Sequence, residues 1–190
     1  MAVSSTMLPL GTPAPPFALA EPLTGRVVSD GDFARRALLV MFICNHCPYV
    51  QHIRPGLVQL GRDYEGSALG IVAVSANDAE AYPDDAPEHL AEAARVYGFT
   101  FPYLYDTTQD VARAYTAACT PDFFLFNAEH RLAYRGQFDA SRPGSAVPVT
   151  GHDLRRAIDA VLAAEPVPAG QYPSLGCSIK WRPGNEPSYG

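Results

Sequence analysis

Charge is scarce in this chain. Asp, Glu, Lys and Arg make up 18% of its 190 residues and sum to a formal charge of -6. An acidic domain offers no basic footprint for nucleic acid or an anionic membrane surface, so neither is expected as a partner. Long apolar runs are also missing, and none approaches the roughly 20 residues that cross a bilayer. The stretch from Met1 to Leu19 has neither a basic start nor an uninterrupted apolar core, so it does not read as a signal peptide, and a cytoplasmic protein is expected. Cysteine occurs at four positions only, Cys44, Cys47, Cys119 and Cys177. In the cytoplasm such thiols rest reduced, and disulfides are transient and catalytic. There is one Cys-x-x-Cys and no second, whereas a structural zinc site needs four ligands in closed geometry. Cys44, Cys47 and His46 with Cys119 or His52 would suit a soft or borderline ion but do not make a full set, so no metal or other cofactor is expected.

What the chain does have is Cys44-Asn45-His46-Cys47-Pro48 between an apolar run at residues 38–43 and a segment of helical spacing. A buried strand, then Cys-x-x-Cys, then a helix is the arrangement of a dithiol redox site. A Cys at a helix start is activated because unpaired N–H groups and the helix dipole stabilise its thiolate. His46, between the sulfurs, is expected to add positive charge or a hydrogen bond and to lower the thiol pKa further. Inert packing is the alternative for any pair of cysteines, but the strand–motif–helix context favours redox chemistry.

With nearly half its residues hydrophobic, the chain suits one globular domain at residues 1–165, followed by a Pro/Gly-rich tail at 166–190. The proline-rich arm at 8–19 leads into an N-terminal hairpin turning at Thr24-Gly25. Residues 38–43 show no polar alternation, as in a parallel strand covered on both faces. Pro48 is tolerated in a first helical turn. Tyr49, Val50, Ile53, Leu57 and Leu60 then form one apolar face, with Pro55 expected to kink or end that helix. A second buried strand at 69–75, an acidic loop at 77–87 with no assigned role, and a helix stopped by Gly98 follow. A short strand at 101–105 precedes a helix capped from Asp106-Thr107-Thr108, with Val111, Ala114 and Tyr115 inward. A closing hairpin and a last helix with Leu154, Ile158 and Val161 complete the domain. This order predicts an α/β fold with a central mixed sheet, largely parallel in its body, flanked by helices and given antiparallel strands at its edge by the closing hairpin. In the tail, Leu175, Cys177, Ile179 and Trp181 alternate with smaller or polar residues, which predicts a short docked strand with one apolar face.

The chain resembles the thioredoxin-like superfamily over residues 8–163, in its redoxin and peroxiredoxin-like branch. The marks are Gly11-Thr-Pro-Ala-Pro-Pro-Phe17, Cys44-Asn-His-Cys47-Pro48, Phe101-Pro-Tyr-Leu-Tyr-Asp106 and Thr120-Pro121 before Asp122-Phe-Phe-Leu125. Cys119-Thr-Pro and Pro173-Ser-Leu-Gly-Cys-Ser-Ile-Lys-Trp181 resemble a peroxiredoxin-like subgroup. The resemblance implies a thioredoxin-like fold in which Thr120 and cis-Pro121 face the dithiol and present backbone to an extended substrate. It implies thiol–disulfide exchange on protein or low-molecular-weight thiols, or peroxide reduction at Cys47-Pro48. Four departures stand out. The window at 119–123 lacks a peroxide-binding Arg, with Arg113 and Arg131 off-pattern, and Cys44 stands where peroxiredoxins carry Thr or Ser. The strand before the motif carries no acid to accept a proton, and Ile43 replaces the thioredoxin Trp.

On this reading Cys44 is the exposed nucleophile and Cys47 resolves the mixed disulfide; the peroxiredoxin alignment reverses the two. Cys119 is expected to pack and Cys177 to be an accessory thiol, their pairing being open.

Overall fold

Residues 37–42 carry no polar side chain, and all six lie buried in the middle of a seven-stranded sheet. The computed structural model describes residues 2–189. The first half of the chain forms β1 (Ala2–Ser4), β2 (Ala18–Ala20), β3 (Val27–Ser29), β4 (Ala37–Phe42), α1 (Pro48–Asp63) and β5 (Leu69–Ser75). The second half forms α2 (Pro87–Tyr97), β6 (Tyr103–Tyr105), α3 (Asp110–Ala114), β7 (Cys119–Thr120), β8 (Asp122–Phe126), β9 (Leu132–Gly136), α4 (His152–Leu162) and β10 (Leu175–Ser178).

The large sheet runs β3-β2-β6-β5-β4-β8-β9. Only β4–β5 and β5–β6 pair parallel; the other pairings are antiparallel. The sheet is therefore mixed, as expected, because a hairpin joins each side of a three-strand parallel centre. Alternation along these strands sends side chains to two cores. Leu39, Met41, Phe123 and Leu125 meet α1, α2 and α4 on one face. Leu38, Val40, Phe124 and Phe126 meet the α3 segment on the other, around Tyr115.

Several local expectations change. Helix α1 runs through Pro55 to Asp63 without ending, its face Val50, Ile53, Leu57 and Leu60 buried against the first core. Gly98 ends α2 at φ 68°, as its position in the pattern predicts. In α3 it is Ala112 that points inward while Ala114 is exposed. The segment 77–87 is not a plain solvated loop, since it includes a 3-10 turn at Pro83–Asp85 with Asp85 fully buried.

The tail strand β10 lies between β1 and β7 in a second, three-stranded sheet. Its apolar positions do not share one face. Cys177 packs with the first core, whereas Ile179 and the half-buried Trp181 pack with the second. The period of two ends with β10 at Ser178, where the chain turns across the end of the large sheet.

Candidate active site

The motif sits where β4 runs out of the sheet into α1. The first residue of α1 is Pro48, which has no N–H to leave unpaired, and Cys47 is the extended N-cap residue whose carbonyl accepts from Gln51 N at 2.9 Å. Cys47, not Cys44, therefore stands at the helix start. Both sulfurs are enclosed, with Cys44 1% exposed and Cys47 0%, so the expected exposed Cys44 is not found. All four cysteines are free thiols.

Opposite them, the Thr120–Pro121 bond is cis. Thr120 meets both sulfurs: its Oγ1 lies 3.3 Å from Cys44 Sγ, and its carbonyl oxygen accepts from Cys47 Sγ at 3.1 Å. The free backbone edge expected here is occupied. Cys177 pairs with Thr120 and Ser178 with Cys119, so the chain's own tail lies where an extended substrate would pair. A Cβ on Gly176 would stand 2.0 Å from the Thr120 carbonyl oxygen, so only glycine permits this approach. Cys119 points to the Pro121 carbonyl at 3.5 Å and is fully buried; burial first, then Asp122, pushes its pKa up.

The residue that sequence reasoning missed is Asp85. Its Oδ1 accepts from Asn45 N at 2.7 Å and from His46 N at 3.4 Å. Its Oδ2 accepts from Asn77 Nδ2 at 2.7 Å and faces His46 Nδ1 at 2.5 Å. A buried carboxylate needs such donors to offset its desolvation. The signal was the acidic Asp84-Asp85 pair after Pro83, but nothing local shows that a segment forty residues away folds back onto the motif. His46 thus binds Asp85 and stacks on Tyr82, with ring centroids 5.3 Å apart. Lys180 stands over the Tyr82 ring at 5.7 Å, and its backbone bonds both Asp78 and Asn77, which joins the loop to the tail.

These surroundings divide the two sulfurs. The neighbouring Cys44 thiol, then Cys177 and the N–H groups of Val50 and Cys177, hold the Cys47 pKa well below the ordinary thiol range against the effect of burial. Cys44 is pushed up, first by donating to Cys47, then by burial and by the charge of Asp85. Cys177, half-buried, is raised by burial and by its contact with Cys47. The Tyr103 hydroxyl is buried on the same side without a partner, and its pKa is raised by burial and then by Cys44 and Asp85.

Donor atoms of Cys44, His46 and Asp85 lie within 4.8 Å of one another. The Asp85 oxygens already face the N–H groups of Asn45 and His46, the His46 ring and the Asn77 amide. His52 does not join the cluster, because its Nε2 is turned to Ser141 Oγ at 2.7 Å. A cavity of about 370 Å³ opens beside His46 between the motif and α2, lined by Asn45, Gln51, His89 and Tyr97 among others. No helix among the described residues is long and apolar enough to cross a membrane.

Solved structures share this fold. An uncharacterized conserved protein from Geobacillus kaustophilus is 52% identical, with TM-score 0.95, covering 97% of this chain and 98% of that one. A hypothetical protein from Sinorhizobium meliloti 1021 is 48% identical, with TM-score 0.93 and coverage of 95% and 99%. A thiol:disulfide interchange protein of the thioredoxin family from Chlorobium tepidum TLS shares the fold at 18% identity and TM-score 0.63, covering 82% and 99%. Comparison with curated proteins finds no match. The fold is thioredoxin-like, and the AhpC/TSA family model matches residues 10–135, the stretch from the proline-rich arm through β9 that holds the dithiol and the cis-proline facing it; the chain belongs to the AhpC/TSA family.

Proposed function

We propose that this protein is a thiol–disulfide oxidoreductase in which Cys47 is the attacking thiolate and Cys44 the resolving thiol. The observation that carries this reading is the unequal setting of the two sulfurs: Cys47 is the N-cap residue of α1, its pKa lowered by its neighbours although the Thr120 carbonyl lies 3.1 Å away, while Cys44 is buried beside a carboxylate that raises it. A thiolate, not a thiol, is the nucleophile. With β10 drawn back from the Thr120 edge that it covers, Cys47 attacks one sulfur of a substrate disulfide; a Cys47–substrate bond forms, and the other substrate sulfur leaves and takes up a proton. Cys47 is then no longer an anion, so the largest influence holding the Cys44 proton is gone. Cys44 gives that proton to the adjoining His46–Asp85 pair and attacks Cys47 Sγ. The Cys44–Cys47 bond forms, the second substrate thiol is released, and two electrons have passed to the substrate.

Asp85 takes the place of the buried proton acceptor that the strand before the motif lacks. Substrates are protein or low-molecular-weight disulfides, and the cavity beside His46 is sized for a small thiol. A cytoplasmic setting, where the dithiol rests reduced, belongs to the same reading. The test is a side-by-side assay of disulfide reduction and peroxide consumption on one sample. Disulfide turnover that Cys47→Ser eliminates is expected. Peroxide consumption without disulfide turnover would replace this reading with a peroxidase that uses Cys47.

A further inference from the structure

We propose that Cys177 is a third catalytic thiol, through which an external thiol re-reduces the buried Cys44–Cys47 disulfide. The inference rests on the reading of Cys47 as the central sulfur and extends it to the reductive half of the cycle.

Three observations carry it. The sulfurs of the motif are 1% and 0% exposed, while Cys177 is the half-buried thiol of the group, so a reductant in solvent reaches Cys177 first. Cys177 stands across from Thr120 in the β10–β7 pair, and the carbonyl oxygen of Thr120 is 3.1 Å from Cys47 Sγ. The Cys177 thiol and N–H are also among the neighbours that lower the Cys47 pKa. Finally, β10 fills the backbone edge beside the cis-proline, held between β1 and β7 and fitted closely at Gly176. A segment docked in place of an extended substrate and bearing a cysteine is placed for exchange with the dithiol as a substrate cysteine would be.

The chemistry balances without a further oxidant. From the Cys44–Cys47 disulfide, deprotonated Cys177 attacks Cys47 Sγ. The Cys47–Cys177 bond forms, the Cys44–Cys47 bond breaks, and Cys44 leaves as a thiolate that takes the proton Cys177 released. An external low-molecular-weight thiol, as its thiolate, then attacks Cys177 Sγ and expels Cys47. A good leaving thiolate speeds that attack, and Cys47 is the sulfur best stabilised as an anion. A second external thiol attacks the external sulfur of the Cys177 adduct, releasing a symmetrical disulfide and returning Cys177 to the thiol. Two electrons enter from two thiols.

The experiment uses the full chain. Cys44→Ser oxidised by a stoichiometric dithiol oxidant and digested without reductant is expected to yield a peptide pair linked Cys47–Cys177. Finding both cysteines free, or linked only between molecules, overturns the proposal. In parallel, Cys177→Ser and Cys177→Ala, oxidised to the Cys44–Cys47 disulfide, are reduced with glutathione by stopped flow. Reduction slowed by about 10-fold or more is expected in both, each starting from the fully formed Cys44–Cys47 disulfide. Reduction at the wild-type rate in variants whose circular dichroism matches wild type overturns it. The mapping requires no turnover, so it is read separately from the proposed function, which fails if wild-type protein forms no Cys44–Cys47 disulfide and reduces no substrate.

Discussion

The segment at residues 77–87 and the tail at residues 174–181 both lie outside the large sheet, and both close over the dithiol. The first brings a carboxylate: Asp85 reaches the Cys44 side and helps hold that thiol protonated. The second brings donors: the thiol and N–H of Cys177 reach the Cys47 side and help hold that sulfur as an anion. Two cysteines three residues apart in one motif are thus made chemically unlike by segments about forty and about 130 residues downstream. The lesson is that the Cys-x-x-Cys defines a dithiol, while the division of labour inside it comes from tertiary contacts.

The most severe way to break this contrast is to remove the sulfur favoured by the tail. Cys47→Ser is expected to lower disulfide exchange by about 1,000-fold or more, because only a thiolate attacks. Cys44→Ser combined with Cys177→Ser, which leaves neither thiol beside Cys47 to resolve it, should still react once and accumulate a mixed disulfide on Cys47, read by mass spectrometry of the adduct. An adduct on Cys44 in the Cys47→Ser protein, with none on Cys47 in the double variant, would reverse the roles.

A second buried carboxylate sharpens the comparison. Asp85 has four donors, whereas Asp122, beside the cis-proline, has one oxygen with no partner. Burial raises the Asp122 pKa from 3.8 to about 7. The folded chain then holds this proton more tightly than the unfolded chain, so the stability contributed by the group is full below the unfolded pKa and is lost as pH rises through the folded one. At roughly 1.4 kcal/mol per unit, the loss reaches at most about 4 kcal/mol. Denaturant unfolding across pH 4–8 is expected to show this decline in wild type and not in Asp122→Asn. Parallel pH profiles for the two proteins would remove Asp122 as its source.

Much of the site was legible in the sequence. The apolar run before the motif, Pro48 at the head of α1, and Thr120-Pro121 opposite the dithiol are where pattern and resemblance put them. What could not be read is what depends on long-range approach. Asp85 is one acid among 20 until the chain folds it onto Asn45 and His46. The alternating tail predicts a strand, yet nothing in Gly176 shows by itself that it faces the Thr120 carbonyl. The expectation that Cys44 stands exposed at the helix start was misplaced for a local reason: the helix begins at Pro48, so Cys47 is its N-cap residue, and both cysteines are buried.

The contrast can also be weakened from the loop side. Asp85→Asn keeps the shape but removes the charge that raises Cys44 and part of its proton acceptor. The step that converts the mixed disulfide to the Cys44–Cys47 disulfide should slow by about 100-fold, the scale of a lost general base. The first attack by Cys47 should change little, which rapid-quench analysis separates. Equal slowing of both steps would mean that Asp85 only supports the loop.

The smallest effect is expected from the tail side. In Gly176→Ala the added methyl collides with the Thr120 carbonyl, so a stability loss of about 1–3 kcal/mol is expected, as for other overpacked sites. Partial undocking of β10 should also raise the Cys47 pKa by withdrawing Cys177. A stable Gly176→Ala protein with unaltered Cys47 reactivity towards an alkylating agent would show that the tail does not set this sulfur's charge.

The most direct test of the unequal dithiol is a thiolate titration by ultraviolet absorbance on reduced wild type, Cys44→Ser and Cys47→Ser. Wild type should show one thiolate already formed well below neutral pH. That step should persist in Cys44→Ser, moved upward by loss of the neighbouring thiol donor, and vanish in Cys47→Ser, whose remaining thiols ionise only in alkali. A low-pH step that survives in Cys47→Ser and disappears in Cys44→Ser would contradict the account.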